Sequence, residues 1–338
     1  MKFKNIIETT LVPHTAFENA VQKLEQAYKY AHEAVEPICV AVIGESRTGK
    51  SRVLEEMMAR YPRTRKEEGL YVPILRVTAP SKPTVKGLAE LMLRKMGDPR
   101  WNSGTENVKT ERLKKLLPET FTHMIMIDEF QHFQDKGTEK VMHHVADWLK
   151  NLVDDCKVAL VVAGLPACSA IFSQNEQLDG RFLAPALMPR FNWMNENHHD
   201  EFVAILGAFH EELSKHFDMP DLANEDMAFR CYCAAGGLIG YLTKYLRQAV
   251  WDAIDQDRRV ISLNDLRHAY KASIWERGMP LGIVDPFNAR LKLNPTLDVL
   301  EEVKKIGTSS AEIGGARRVR SRKQALATPT PAQILCAT

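Results

Sequence analysis

Gly44-Glu45-Ser46-Arg47-Thr48-Gly49-Lys50-Ser51 constrains this chain more than any other stretch. It follows the apolar run Ile38-Cys39-Val40-Ala41-Val42-Ile43 and precedes Arg52 to Met58, which reads as a helix. Strand, G-x-x-x-x-G-K-S and helix in that order form a phosphate-binding P-loop. Gly44 and Gly49 let the backbone turn where a Cβ would block it, so the amides from Glu45 to Ser51 can point inward. The helix that begins there adds unpaired N–H groups and its dipole. Lys50 is placed to reach the β- and γ-phosphates of ATP, and Ser51 to offer its hydroxyl to Mg²⁺. A glycine turn that matched by accident would need neither the buried strand before it nor the helix after it.

A second signal is His123-Met124-Ile125-Met126-Ile127-Asp128-Glu129. An almost purely apolar strand is buried on both faces, as a central parallel strand is. Two acids at its carboxyl end stand in the crevice where open α/β sheets bind ligands. Asp128 is expected to hold Mg²⁺ with Ser51, and Glu129 to orient the attacking water. Alone, such a pair often just begins a solvated turn; downstream of a P-loop it points to nucleotide hydrolysis.

The rest of the chain is read around these two motifs. Alternating strands and helices up to about residue 197 predict a parallel sheet covered on both faces. A helix over 14–34 precedes the first strand. Arg60 to Lys66 is a basic, proline-broken loop. Pro73 makes the 71–77 strand start late or lie at an edge. Helices are expected over 84–96, 108–117 and 138–153, with a strand over 158–163 and a last short strand near Arg190-Phe191-Asn192-Trp193. From His198 the pattern is helical only, over 200–217, 224–235, 238–255 and 262–275, with Ser262-x-x-Asp265 as a capping box. The expected division is an N-terminal segment and helix (1–35), an α/β nucleotide-binding domain (36–197), a helical lid (198–278) and a C-terminal extension (279–338). The extension is irregular beyond Met279-Pro280, with a disordered basic tail from about 307.

The 338 residues, 45% hydrophobic and 26% charged, suit a globular chain. No apolar run reaches the roughly 18 residues of a membrane span, and no signal peptide opens the sequence. The scattered cysteines favour reduced thiols over zinc or disulfides, hence a cytoplasmic location. Net charge is only +2, yet residues 303–338 carry seven Lys/Arg against Glu312 alone. Any nucleic-acid contact by the folded body must therefore come from a local patch.

GESRTGKS, MIMIDEF, a strand ending AGLP, LDGRF and the GGLIG stretch together resemble the TnsC/TniB transposition regulators among the AAA+ ATPases. The resemblance covers about residues 10 to 275. It implies an AAA+ P-loop NTPase with a five-stranded parallel sheet and a C-terminal helical lid. It further implies a bacterial, DNA-associated ATPase that assembles as a ring or helical filament on double-stranded DNA. Such proteins link a target-selection protein of the TniQ/TnsD type to transposase subunits in TnsABC-type transposons, CRISPR-associated ones among them. Arg181 falls where the family places an arginine finger acting on the neighbour's nucleotide, with a surface ion pair as the competing reading and Arg190 as the rival finger. Two departures stand out. Ala163-Gly164-Leu165 lacks the usual polar sensor, and Tyr241 stands where a lid arginine is expected, leaving Lys244 or Arg247 to substitute. Slow hydrolysis is the consequence.

Residues 82–115 hold nine Lys/Arg against four acids. Lys82, Lys86, Arg94, Lys95 and Arg100 are the candidate phosphate contacts to duplex DNA, with Trp101 as a wedge or stacking surface. The competing reading is a solvated helix face. Two other functions remain open at this point: a small-molecule kinase, against which Glu129 argues by favouring water, and an ATP-binding scaffold with little or no turnover.

Overall fold

The computed structural model describes residues 4–10, 12–67, 69–80, 83–135, 137–172, 176–274, 285–290 and 292–307. Lys82, the stretch 275–284 and the basic tail from residue 308 lie outside these, so what was expected of them is not addressed by the structure.

Five strands make one parallel sheet: β1 (Cys39–Gly44), β4 (Ile74–Thr78), β5 (Met124–Asp128), β6 (Ala159–Gly164) and β7 (Ala186–Met188), in the spatial order β4-β5-β6-β1-β7. The side-chain period of two decides both faces. Val40, Val42, Met124, Met126, Val161 and Ala163 point to the layer formed by α2 (Thr15–Tyr30) and α3 (Lys50–Arg60). Ala41, Ile125, Ile127, Leu160 and Val162 point to the opposite layer of α4 (Val85–Met96), α5 (Glu106–Glu119) and α7 (Glu139–Cys156). Every residue of β5 and β6 is buried, as expected of strands covered on both sides. Pro73 has the predicted effect: β4 begins after it and forms one edge of the sheet. Three one-turn helices, α6 (His132–Asp135), α8 (Ser169–Phe172) and α9 (Glu176–Asp179), fill the connections around β6.

Two expectations about this region need correcting. The loop after α3 contains an antiparallel hairpin, β2 (Thr64–Lys66) with β3 (Gly69–Tyr71). All three residues of β2 are exposed, so no apolar alternation marked it as a strand. The last strand is Ala186–Met188, not the Arg190–Trp193 stretch. Prolines at 185 and 189 bracket the three residues that pair with β1. Phe191 instead bonds to the lid, its N–H donating to Gly237 O at 3.0 Å.

The lid consists of α10 (Glu196–Ser214), α11 (Glu225–Ala235), α12 (Ile239–Asp255) and α13 (Leu263–Ser273). Ser262 and Asp265 form the anticipated capping box. The lid core also recruits residues from outside the predicted lid helices. Ile6 and Ile7 of α1 (Ile6–Thr9) join it, as do Phe191, Trp193, Phe287, and Leu300 and Val303 of α14 (Leu297–Lys304). The extension beyond Pro280 is thus not wholly irregular: Thr296 caps α14 at Val299 N, and Ile306 packs over Gly236. The described residues through Ile306 form one compact unit.

Candidate nucleotide site and basic edge

β1 ends at Gly44, where an added Cβ would lie 2.3 Å from Met188 O and 2.8 Å from Thr48 Oγ1. The loop can therefore turn only on glycine. Gly49, with φ +100°, reverses the chain directly into α3, and Arg47 also takes a positive φ. Thr48 Oγ1 closes the loop on Glu45 O at 2.9 Å. The Lys50 ammonium lies inside, donating to Gly44 O and Glu45 O. Burial lowers its pKa, while the charges of Glu129 and Asp128 across the cleft work the other way. Ser46 sits in this loop and Ser51 in the first turn of α3, so the entire predicted motif faces the carboxyl edge of the sheet.

Asp128, 4% exposed, ends β5 at the same edge. Its Oδ2 accepts from Arg76 Nη2 at 2.7 Å and its Oδ1 from Glu129 N at 3.0 Å. Arg76, on the neighbouring strand, carries no signal in the sequence, where it is a lone cation in an apolar run. Glu129 holds a left-handed backbone (φ 55°) and accepts through Oε2 from Gln131 Nε2. The donor set fits Mg²⁺. Among the described residues no cluster of three or more His, Cys, Asp or Glu forms a cage of its own. Mg²⁺ is ordinarily held by one or two protein oxygens together with phosphates, and Ser51 with Asp128 supplies that number.

The GGLIG stretch explains how the lid reaches this site. Gly236 and Gly237 both have positive φ, and a Cβ on Gly237 would stand 2.4 Å from Phe191 O. Gly240 N donates to Arg47 O at 2.9 Å, with room for no Cβ between them. Arg190 donates to Glu45 Oε2 at 2.6 Å and to Gly236 O at 2.9 Å, joining P-loop to lid within the same chain. Arg47 lies over the Tyr241 ring at 4.8 Å. The pKa of Lys244 is lowered, first by burial and then by Arg47 and Arg247 nearby. Of the two lid cations, Arg247 lines the cavity beside Thr48 and Gly49, while also pairing with Glu8 at 3.2 Å.

That cavity, about 280 Å³, has Ile7, Val12, Phe17, Ile205 and Ile239 on its apolar walls. An apolar hollow adjoining a P-loop suits a planar base. Its walls come from the N-terminal segment and the lid, and of these five apolar residues Ile239 alone lies in a motif, GGLIG. A larger open cleft between α2, β7 and α10 touches no P-loop residue.

Arg181 is not brought to this site. Cys39 N donates to its carbonyl at 3.1 Å, which places it at the amino-terminal end of β1, opposite Gly44. Its guanidinium pairs with Asp154 at 2.9 Å, and its Nε and Nη1 are buried without a partner.

The basic segment is divided. Lys109 is fully buried on Gly104 O and Glu90, Arg112 pairs with Asp98, and Lys114 with Asp155. Lys86 sits in the first turn of α4, Arg94 and Lys95 in its last, and Arg100 beyond it. At 1.5 Å per residue, Lys86 and Lys95 stand about 13 Å apart along the helix, at opposite edges of the sheet. Trp101 is not a free wedge: it packs against the core and its ring lies 5.3 Å below Arg94. The hairpin supplies what the sequence did not connect. Arg63 donates to Lys95 O at 2.8 Å, bringing exposed Arg65 and Lys66 beside the end of α4. Lys66 lies 4.1 Å over the Tyr71 ring, and Tyr71 stacks on half-exposed Phe121.

Comparison with known proteins agrees with this geometry. Among solved structures, the fold is similar to Cdc6p of Pyrobaculum aerophilum (12% identity, TM-score 0.60, covering 83% of this chain and 74% of that one). It is similar to the ORC2 protein of Aeropyrum pernix in its ADPNP-ADP complexes (12%, 0.58, 80% and 72%). It is also similar to the ORC1 protein of Aeropyrum pernix in complex with DNA (16%, 0.55, 80% and 69%). At such identities the likeness establishes the AAA+ P-loop fold and nothing further. No curated protein matches. The family model described as bacterial TniB protein matches residues 2–193, which span the P-loop, the Asp128-Glu129 strand and Arg190. This chain belongs to the TniB family.

Proposed function

We propose that the protein is an ATP-dependent DNA-binding regulator of DNA transposition. It hydrolyses ATP slowly to ADP and phosphate and assembles on target duplex DNA. The observation that carries the reading is the meeting of Lys50, Ser51, Asp128 and Glu129 at one sheet edge, with Arg190 and Gly240 fastening a lid over it. Lys50 and the loop amides of residues 44–51 hold the phosphates. Ser51 and Asp128 hold Mg²⁺, which neutralises phosphate charge. Glu129 orients water for attack on the γ-phosphate.

Arg181 lies at the far end of β1 from the P-loop, so a finger role for it falls in a neighbouring copy and requires it to leave its Asp154 pair. Arg190 is engaged in its own site, which supports Arg181 over Arg190 as the finger. DNA contact falls to Lys86, Arg94, Lys95 and Arg100, with Lys82 in the adjoining stretch and Arg65 and Lys66 added from the hairpin. Family membership supports the partners: transposase subunits and a TniQ/TnsD-type target-selection protein.

Phosphate release with and without duplex DNA tests the reading, alongside electron microscopy with a non-hydrolysable ATP analogue. DNA-stimulated release and nucleotide-dependent filaments or rings are expected. Phosphorylation of a small acceptor would replace the reading with a kinase, and ATP binding without release would make the protein a scaffold. Arg76, which already occupies one oxygen of Asp128, is the feature that favours the scaffold.

A further inference from the structure

β6 ends in Ala163-Gly164-Leu165, so the strand itself presents no polar side chain to the nucleotide cleft. Gln131, from the turn after β5, reaches that place. It is 6% exposed, and both ends of its amide are bonded. Nε2 donates to Glu129 Oε2, and Oε1 accepts from Leu165 N at 3.2 Å. The amide has only one workable orientation. Turned over, it would set its oxygen against a carboxylate and its NH₂ against an N–H. The chain is shaped for this bridge at two further points. A Cβ at Gly164 would lie 2.7 Å from Gln131 Oε1, so any other residue there would expel the amide. Between these two contacts, Phe130 N donates to Ala163 O at 2.9 Å, locking the turn to the end of β6.

We propose that Gln131 is the positioning residue of Glu129, standing in for the polar side chain that the end of β6 lacks. It immobilises Glu129 Oε2 and leaves Glu129 Oε1 to accept a hydrogen bond from the attacking water. It also ties the orientation of Glu129 to the backbone of the next strand, so a shift of β6 moves the base.

The proposal rests on the assignment of Glu129 to water activation, and its test keeps the two apart. ATP turnover with duplex DNA is measured for the wild type, Glu129→Ala, Gln131→Leu and Gln131→Glu, and for each Gln131 variant combined with Glu129→Ala. Gln131→Glu keeps an acceptor for Leu165 N but puts an anion beside Glu129; Gln131→Leu removes both arms. Both should lower kcat roughly ten- to a hundredfold, the scale of a misplaced catalytic group, with KM for ATP within about twofold. In the Glu129→Ala background neither should lower the residual rate further, because the two residues act as one. Wild-type kcat in Gln131→Glu, a rise in kcat in either variant, or a full additive loss on top of Glu129→Ala would overturn the role of Gln131 while leaving that of Glu129 intact. A wild type without turnover, or a Glu129→Ala variant as fast as wild type, would remove the proposed function itself and this inference with it.

Discussion

The two edges of the sheet handle charge in opposite ways. At the carboxyl edge, the ionic groups already have partners within the chain. Lys50 lies on loop carbonyls, Asp128 on Arg76, Glu129 on Gln131 and Glu45 on Arg190. At the amino edge, Arg65, Lys66, Arg94, Lys95 and Arg100 are exposed, and among the described residues none is ion-paired. Aromatic rings carry two of them. The internal network at the first edge holds a small ligand in fixed geometry. The second edge leaves its charge for a large anion brought from outside, and Lys86 alone of the described candidates sits nearer the first.

The sharpest way to break this contrast is Lys50→Ala. Removing the only ammonium inside the loop should weaken ATP binding at least about a hundredfold, the worth of a charge held against phosphates in a part-buried site. Calorimetry reads the affinity, and sedimentation with duplex DNA reads assembly. Both should be lost together; assembly that survives would separate the two edges completely. Next in size is Gly237→Ala. Its φ of +70° and the 2.4 Å approach of Phe191 O leave no room for a methyl group. A loss of about 2–4 kcal/mol is expected, seen as a lower Tm together with weaker ATP binding as the lid works loose from the P-loop.

At the other edge, Arg65→Ala with Lys66→Ala should leave ATP affinity and Tm unchanged and weaken duplex binding. Removing one cation from a DNA phosphate flattens the slope of log K against log salt by about 0.9, so the pair should flatten it by up to about 1.8. An unchanged slope would return the hairpin to the solvated surface. Lys86→Ala, measured in the same way, tells whether DNA touches one edge or spans both.

How much of this was legible depended on whether the signal was contiguous. The P-loop, the Asp128-Glu129 strand, the late start of β4 after Pro73 and the Ser262–Asp265 cap are each written within a few residues, because backbone geometry and capping are local. What escaped is held together across the chain. Gln131 meets Leu165, Arg76 meets Asp128, Arg63 meets Lys95, and Ile6 and Ile7 sit in the lid core. None of those residues carries a pattern of its own. The hairpin escaped for the opposite reason: its first strand buries nothing, so hydrophobic periodicity had nothing to report. GGLIG was visible as a string of glycines, but its purpose appears only with Phe191 O and Arg47 packed against it.

A pair that is already satisfied serves as the control for the comparison. Asp265 closes the capping box on Ser262 and pairs with Arg258 at 2.8 Å. Its pKa is held far below the usual carboxylate range, first by the hydrogen bond from Arg258, with desolvation working the other way and the hydrogen bonds from Ser262 adding to the lowering. A folded-state pKa below the unfolded value of about 3.9 means that the stabilisation is fully present above that value and is lost as pH falls through the folded one. Asp265→Asn should therefore cost about 1 kcal/mol, the scale of a single helix cap. The wild type and variant should differ in Tm by the same small amount from pH 5 to 8 and converge only in strong acid. Duplex binding and its salt slope should not change at all. If they do, charge anywhere on this protein alters DNA affinity through net charge alone, and the unpaired cations of the amino edge lose their claim to a special place.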